Sequence, residues 1–255
     1  FLKASLKGLN GGHSGDDINK KRANAIKILA RFLFIQQEKI TGLRLASFNS
    51  GKLHNAIPRD GQVVFAVPAE LKEQVKADWN IFAVGQNVIR AIQAVHNGPL
   101  TNCQDEAIAW MVETSSNIAS VQTTDNTVVA VASQRSNVMS NLDNMTNTVK
   151  AVFLLAGAEI AVDDKYPAWK MRADSELTRI AVEAYKKLFG KEPKVLGIHA
   201  GLECGLFSER YPDLDMVSFG PTLRGVHSPD EKLLIPTVQM VWDHLLEILK
   251  NVPAK

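Results

Sequence analysis

A histidine near the C-terminal end of the chain, His227, has the type and setting of a metal ligand. It lies in the glycine-containing loop 220–231, after the apolar segment 216–219 and before an amphipathic segment that begins near residue 234. A neutral imidazole on a rigid loop at a strand end is a common ligand of divalent metals. The sequence has no His-x-Asp motif, no Glu-Glu pair and no second histidine nearby. Either His227 is not a ligand or its partner ligands lie outside these residues, and the rest of the sequence favours the second interpretation.

A second histidine, His13, is framed by glycines in the segment Gly11-Gly12-His13-Ser14-Gly15, between a predicted strand and a predicted helix. Glycines allow close backbone approach and positive φ angles. The N-terminus of the following helix favours an anion or a developing oxyanion, and an imidazole there can donate to a carbonyl oxygen or a carboxylate. The alternative is a tight strand–helix turn with an incidental histidine. The spacing does not match the Gly-x-Ser-x-Gly nucleophile motif.

A third histidine, His199, ends an apolar segment and is followed by Glu203 and Cys204. Open α/β sheets bind ligands at such strand ends, so His199 and Glu203 can face one cleft. Cys204 with His199 as its base would instead make a cysteine hydrolase. No orienting Asn or Asp is identifiable, which makes that interpretation the weaker one.

Arg135 ends a predicted strand among small polar residues, in the segment Ser133-Gln134-Arg135-Ser136. A guanidinium in that position suits bidentate binding of a carboxylate. A surface arginine with no ligand is the open alternative.

Composition narrows the class of protein. The 255 residues carry a net charge of +2 and are 45% hydrophobic, which fits one large or two small globular domains. The basic residues are interleaved with acids, so we expect no nucleic-acid binding. No apolar run approaches the roughly 20 residues that cross a bilayer, and the first residues do not resemble a signal peptide. Two distant cysteines indicate reduced thiols and a cytoplasmic protein.

The elements that must position these side chains fall into two groups. The first, residues 1–163, reads as an α+β domain built from two similar halves. Its predicted elements are strands at 2–9, 43–49, 62–67 and 158–162, a hairpin of 118–122 with 127–133, and helices at 18–38, 71–94 and 141–155. Asp16 or Asp17 is the predicted N-cap of the first helix.

The second group, residues 164–255, alternates helices with short apolar strands. Helices are predicted at 176–189, 202–210 and 234–249, and strands at 195–199 and 214–219. Two or three parallel strands make too small a sheet to stand alone. We therefore expect the second half of an α/β domain whose first half precedes residue 1, and a chain that is a fragment of a longer protein.

These motifs, in this order, resemble those of the aminoacyl-histidine dipeptidases, also called Xaa-His or cytosol nonspecific dipeptidases. The resemblance rests on the segments GGHSGDDINKKRANAIKIL, LRLASFNSGKLHNAIPRD, VVAVASQRS and GIHAGLECGLFSERYPDLDMVSFGPTLRGVHSPDE, and it spans essentially all 255 residues. This group is similar to the zinc metallopeptidases that include carboxypeptidase G and succinyl-diaminopimelate desuccinylase.

The resemblance implies a fold and a set of roles. Residues 1–163 would form a lid domain of two ferredoxin-like α/β halves, of the type that can dimerise. Residues 164–255 would be the C-terminal part of an α/β, phosphorylase/hydrolase-like catalytic domain. His13 would polarise the scissile carbonyl and stabilise the tetrahedral intermediate, Asn55 and Arg135 would hold the substrate, and the loop with His199 and Glu203 would line its pocket. His227 would be the last ligand of a two-metal zinc site, with Mn²⁺ or Co²⁺ as alternatives.

The family's other ligands and its general base do not occur in this sequence. We therefore expect the parent protein to hydrolyse dipeptides, including Xaa-His, through a metal-activated water, and these 255 residues alone to be inactive. The main alternative is a module derived from the lid that dimerises or binds small carboxylates without chemistry.

Overall fold

The computed structural model describes residues 1–68, 85–104, 106–125, 127–163, 167, 169, 172, 174–197, 199, 203–224 and 231–253. The chain divides into two compact units. The N-terminal unit is Phe1–Lys165 together with Ile198–Ala200, and the C-terminal unit is Tyr166–Gly197 together with Gly201–Lys255. The candidate metal ligand His227 lies outside the described residues, as does the first part of the helix predicted from residue 71.

The N-terminal unit is built on one antiparallel sheet. Its strands, in the order in which they pair, are β1 (Leu2–Leu6), β5 (Gly61–Ala66), β3 (Arg44–Ser50), β7 (Val112–Thr124) and β6 (Gly98–Asn102), and β8 (Thr127–Ser136) pairs with the other side of β7. A separate two-stranded ribbon joins β2 (Gly12–His13) to β4 (Ala56–Ile57). The helices are α1 (Ala25–Lys39), α2 (Gly85–Ala94) and α3 (Met139–Leu155).

The helices cover the apolar face of this sheet. α1 contributes Ile26, Leu29 and Leu33 to a buried cluster that also contains Phe48 of β3 and Ile118 of β7. The spacing of the α1 residues is the three-and-four periodicity of a helix with one apolar face. This burial stabilises the sheet and leaves its opposite face available for polar groups.

The α+β character of residues 1–163 is confirmed, but a single continuous sheet runs through both predicted halves, since Ser50 of β3 pairs with Val121 of β7. The two predicted ferredoxin-like halves therefore do not have a separate sheet each. The hairpin prediction is confirmed, and β7 is longer than expected because its polar first half is also a strand. Residues 158–162 are not a strand, since they pair with no described strand.

The cap of α1 differs from the sequence prediction. Asn24, not Asp16 or Asp17, precedes the helix, and its Oδ1 accepts hydrogen bonds from the backbone N–H groups of Ile26 and Lys27 at 2.9 and 3.4 Å. Residues 14–21 form turns instead of the first part of the helix. The Asp17 carboxylate accepts hydrogen bonds within these turns, from the His13 backbone and from Lys20.

The C-terminal unit contains α4 (Glu176–Phe189), α5 (Glu203–Arg210), a ribbon of β9 (Leu223–Arg224) with β10 (Lys232–Leu233), and α6 (Pro236–Asn251). α4 and α6 pack through Ile180, Ala181, Ala184 and Ile248. A hydrogen bond of 2.7 Å between His244 Nε2 and the Ala181 carbonyl adds a polar contact between the two helices. The three predicted helices are confirmed to within two residues at each end.

The two strands predicted in the C-terminal unit are not formed within the described residues. Segments 195–197 and 214–219 have the apolar sequence typical of a strand, yet neither pairs with a described strand. A strand exists only through hydrogen bonds to a neighbour, so an apolar segment without one is not assigned as a strand. Among the described helices, none combines the length and the apolar character needed to cross a bilayer.

Candidate functional site

Polar side chains line one face of β7 beneath the ribbon of β2 and β4. Glu113, Ser115 and Asn117 alternate along the strand and therefore share a face, and all three are buried. Asn117 Nδ2 donates to the Ala56 carbonyl of β4 at 2.8 Å. This hydrogen bond fixes the ribbon on the polar face of the sheet.

The ribbon places His13 at its end. His13 pairs with Ala56, and the next backbone N–H, that of Ser14, donates to the Asn55 carbonyl at 2.8 Å. Asn55, a predicted substrate-binding residue, therefore also holds the His13 turn through its main chain. Its side chain is half-buried.

Asp17 closes the turn after His13. Its Oδ2 accepts the His13 backbone N–H at 2.8 Å, and its Oδ1 forms ion pairs with Lys20 at 2.7 Å and Arg22 at 3.0 Å. Burial opposes the charged form of Asp17, but the hydrogen bonds from Lys20 and the His13 backbone, with the charge of Arg22, outweigh it and lower the pKa. Gly12, with φ of +142°, is required because a Cβ there would overlap the side chains of Asp17 and Arg22.

Two backbone amides determine the protonation of the His13 ring. The N–H groups of Gly15 and Asp16 both donate to Nδ1, each at 3.2 Å. A ring nitrogen that accepts hydrogen bonds carries no proton, so in the neutral ring the proton is on Nε2. The His13 side chain is 15% exposed. Nε2–H is thus suited to donate to an oxygen of a ligand.

Arg135 comes to the same place from β8. It lies directly opposite Ser115 in the β7–β8 register, so both side chains are on the polar face. Its Nε donates to Ser14 Oγ at 3.4 Å. Burial lowers the pKa of Arg135, and the charge of Asp16 partly offsets that effect. The guanidinium remains charged because its pKa starts far above neutral.

His199 is also part of this arrangement. Its Nε2 lies 2.7 Å from Ser115 Oγ, and its side chain is buried. Burial and then the charge of Arg135 lower the pKa of His199 to about 4, although a hydrogen bond to the Val112 backbone acts in the opposite direction. The ring is therefore neutral near neutral pH. Because the Val112 carbonyl takes the ring N–H, the Ser115 hydroxyl donates to Nε2.

The structure thus brings His13, Asn55, Arg135 and His199 together in the N-terminal unit. Glu203 is the first residue of α5 and is exposed, and it belongs to the C-terminal unit. Burial raises the pKa of Cys204, and the charge of Glu203 acts in the same direction. A raised thiol pKa disfavours the thiolate nucleophile, and the Nε2 of His199 is already engaged by Ser115. The cysteine-hydrolase interpretation therefore finds no support.

Ser14, Ser115 and Asn117 were missed by the sequence reasoning. In the sequence, the segment 113–117 is simply a polar run. Only the strand in the structure shows that alternate residues of this segment share one face.

Within the described ranges, no three His, Cys, Asp or Glu side chains are grouped so that they could hold a metal ion. The described residues therefore build a site of hydrogen-bond donors.

Comparisons with known proteins identify relatives of the whole chain. The chain matches the model of peptidase family M20/M25/M40 over residues 16–251. It is 38% identical to the cytosol non-specific dipeptidase of Escherichia coli K12 over an alignment of 285 positions, which covers 100% of this chain and 58% of that protein. The crystal structure of aminoacylhistidine dipeptidase from Vibrio alginolyticus matches with a TM-score of 0.82 and 38% identity, over 99% of this chain and 57% of that one. The chain thus spans a little more than half the length of these relatives.

Proposed function

This chain belongs to peptidase family M20/M25/M40, and from that premise we propose that it is part of a metal-dependent dipeptidase whose N-terminal unit binds the substrate. One observation carries the proposal. Arg135 donates from Nε to Oγ of Ser14, the residue that directly follows His13, although 121 positions separate Arg135 from Ser14 in the sequence. The His13 Nε2–H and the Arg135 guanidinium both donate hydrogen bonds, and a dipeptide offers the matching acceptors in its carbonyl and its terminal carboxylate.

Each group has a distinct role in this proposal. Arg135 binds the C-terminal carboxylate of the dipeptide, and Asn55 contacts the substrate beside it. The His13 Nε2–H donates to the oxygen of the scissile carbonyl. As the carbonyl becomes tetrahedral its oxygen gains negative charge, so this hydrogen bond strengthens in the transition state and lowers the barrier. Glu203 and His199 belong to the segment that lines the pocket in the family.

A divalent metal ion, when bound, supplies an activated water and polarises the carbonyl. His227 is the residue of this chain that we propose as a ligand, and zinc, manganese or cobalt would suit an imidazole and carboxylate ligand set. Its position lies outside the described residues. The other ligands and the general base expected of the family are not found in this sequence, so we expect the 255-residue chain alone to be inactive.

Replacing His13 tests the proposal. In the natural gene product that contains this chain, His13→Gln is expected to lower kcat for a Xaa-His dipeptide by roughly 100-fold to 1,000-fold, as the loss of one oxyanion donor does. The KM should change little, because the interaction develops in the transition state. His96→Gln, which alters a histidine bonded to the Gly98 and Pro99 carbonyls, is the matched control. Equal kcat values for the two variants would remove His13 from the mechanism.

The second candidate function is a module that binds small carboxylates without chemistry. The half-buried, charged Arg135 beside Ser14 favours it as strongly as it favours a dipeptidase. Hydrolysis separates the two. A natural gene product that binds an Ala-His dipeptide in calorimetry, yet never cleaves it with zinc or manganese added, would be this module. A cytoplasmic location and a homodimer are further parts of the dipeptidase proposal, and sedimentation of the natural product tests the dimer.

A further inference from the structure

The backbone of His199 lies against the turn that holds His13. A Cβ added at Gly15 would overlap the carbonyl oxygen of His199, and it would also lie 3.2 Å from Cε1 and Nδ1 of the His13 ring. Such a close approach is possible only at glycine. Gly15 is thus packed between the His199 backbone on one side and the His13 imidazole on the other.

The His199 side chain fixes that backbone. Its ring accepts from Ser115 Oγ at 2.7 Å and has a hydrogen bond to the Val112 backbone, both on β7. Because it is buried and neutral, the ring can hold both hydrogen bonds without a second proton. A central strand of the sheet therefore determines where the His199 carbonyl lies, and that carbonyl limits where Gly15 can lie.

We propose that His199 is a positioning residue which, through its contact with Gly15, holds the amides of Gly15 and Asp16 on Nδ1 of His13 and so fixes that ring as the Nε2–H tautomer. The use of the tautomer in catalysis rests on the proposed dipeptidase function. The assignment of the tautomer itself does not rest on that function. In this role His199 prepares the donor that meets the substrate carbonyl.

Among the described contacts of His13, the one with the Asp16 carboxylate opposes this assignment. Asp16 Oδ2 lies 3.8 Å from His13 Nδ1 and favours a proton on that nitrogen. The carboxylate is 58% exposed, so water weakens its effect. The two amides lie closer, at 3.2 Å, and an N–H that points at Nδ1 cannot share that position with a ring proton. Of these described contacts to Nδ1, the two amides outweigh the carboxylate and favour the Nε2–H tautomer.

The consequence is that His13 has a proton on Nε2 before the substrate binds. A ring free to exchange tautomers would present Nε2 to the substrate without a proton for part of the time, and would then repel the carbonyl oxygen. A fixed Nε2–H removes the population of rings without a proton on Nε2. It also removes the tautomer exchange that would have to precede turnover in that population. Preorganised donors of this kind stabilise a developing oxyanion without reorganisation during the reaction.

Nitrogen-15 NMR of the 255-residue chain, labelled at histidine, tests the proposal directly. Long-range correlations between ring protons and ring nitrogens distinguish the two neutral tautomers, and His13→Gln identifies the His13 signals. Near neutral pH we expect a pure Nε2–H pattern for His13. In His199→Ala and in Ser115→Ala we expect averaged nitrogen shifts that show a tautomer mixture, whereas His199→Gln, which can still accept from Ser115, should restore most of the wild-type pattern.

Ser120→Ala provides the matched control, since Ser120 lies on the same strand, β7, away from the site. It should leave the His13 signals unchanged. An Nδ1–H or mixed pattern in the wild-type chain would overturn the proposal without any variant. So would an unchanged His13 pattern in Ser115→Ala, a variant that removes a single hydroxyl and is expected to fold even if His199→Ala does not.

A kinetic readout separates failure of this inference from failure of the proposed function. In the natural gene product, His199→Ala should lower kcat by ~10-fold to ~100-fold with KM nearly unchanged, since a misplaced catalytic group costs rate more than binding, and His199→Gln should recover part of it. If the natural product cleaves no dipeptide, the dipeptidase proposal fails while the NMR result still decides the tautomer. If it cleaves dipeptides and His199→Ala matches the wild type in kcat, the positioning role is wrong.

Discussion

At the residue scale, the N-terminal unit concentrates donors around one serine. Ser14 has the His13 ring on the neighbouring residue, and its hydroxyl accepts from Arg135 Nε at 3.4 Å. The neutral, buried His199 adds no positive charge beside Arg135. In the proposed function, the carboxylate of a dipeptide would meet the charge of Arg135 and its carbonyl oxygen would meet the His13 N–H.

Replacing Arg135 by lysine tests the carboxylate contact. Lysine keeps the charge but loses the planar fork that binds a carboxylate with two hydrogen bonds. We expect Arg135→Lys to raise the KM for a dipeptide roughly 10-fold to 100-fold, which corresponds to the ~1.5–3 kcal/mol of one hydrogen bond to a charged group. Steady-state kinetics of the natural gene product measure this. Arg179→Lys, at a guanidinium that is 68% exposed on α4, should leave KM unchanged, and an equal KM in both variants would place the substrate carboxylate elsewhere.

Acid should destabilise the N-terminal unit through His199. The pKa of this residue falls from 6.5 in the unfolded chain to about 4 in the folded one, so between these values the unfolded state binds more protons. Stability is therefore complete above about pH 6.5 and is lost as the pH falls towards about 4, by ~3 kcal/mol in total. Amide exchange of β7 at several pH values measures the loss.

His199→Gln is the control for this pH dependence, because glutamine does not titrate. The variant should lose ~3 kcal/mol less than the wild type over the same pH range. Parallel curves for the two proteins would show that His199 is not buried in its neutral form.

At the element scale, one lysine stabilises the C-terminal end of α2. Lys27 Nζ on α1 donates to the carbonyls of Ile92, Gln93 and Val95 at 2.8, 2.7 and 2.7 Å. The last turn of a helix leaves carbonyls without partners, and a cation there is favourable. Burial, with the charge of Arg31, lowers the pKa of Lys27 to about 8, so the amine is still protonated near neutral pH. The contact joins α1 to α2 on the apolar side of the sheet.

Removing this amine should destabilise the N-terminal unit. We expect Lys27→Met to reduce the free energy of unfolding by about 2–3 kcal/mol, because three partly buried carbonyls lose a charged donor. Urea denaturation followed by circular dichroism measures it. Lys3→Met, at an exposed position of β1, should stay within about 0.5 kcal/mol of the wild type. A Lys27→Met variant as stable as Lys3→Met would mean that water replaces the amine at no cost.

At the scale of the whole molecule, the family and the length of the chain lead to one prediction. The matching relatives are longer, since this chain covers 58% of the E. coli protein and 57% of the V. alginolyticus chain. We expect the natural gene product to cleave Xaa-His dipeptides, to lose all detectable activity in EDTA and to regain it with zinc, because the activated water depends on the metal.

The 255-residue chain, assayed beside it, should cleave none of these dipeptides. EDTA-sensitive hydrolysis by the 255 residues alone would show that His227 and the other residues of this chain complete a metal site. Activity of the natural product that resists EDTA would instead argue against any metal mechanism.

Several helices and two of the candidate site residues could be predicted from the local sequence. Periodic apolar residues predicted the helices at 139–155, 176–189 and 236–251 to within two residues, because each helix buries one continuous face. The glycines around His13 and the polar end of β8 identified His13 and Arg135 as candidates, and the motif order indicated the dipeptidase family before any comparison. These features depend on neighbours along the chain, which a sequence displays directly.

Only the tertiary structure decided how the candidates meet. Ser115 contacts His199 across 84 positions of sequence, and Arg135 contacts Ser14 across 121. Strand register sets such contacts, and a shift of one residue would turn Ser115 and Arg135 to the opposite face. The same dependence on partners explains why Asn24 replaced the aspartates as the cap of α1 and why segments 195–197 and 214–219 are not strands among the described residues. Hydrogen bonds between distant segments determine which of several locally possible conformations each segment adopts, and the local sequence alone does not distinguish these conformations.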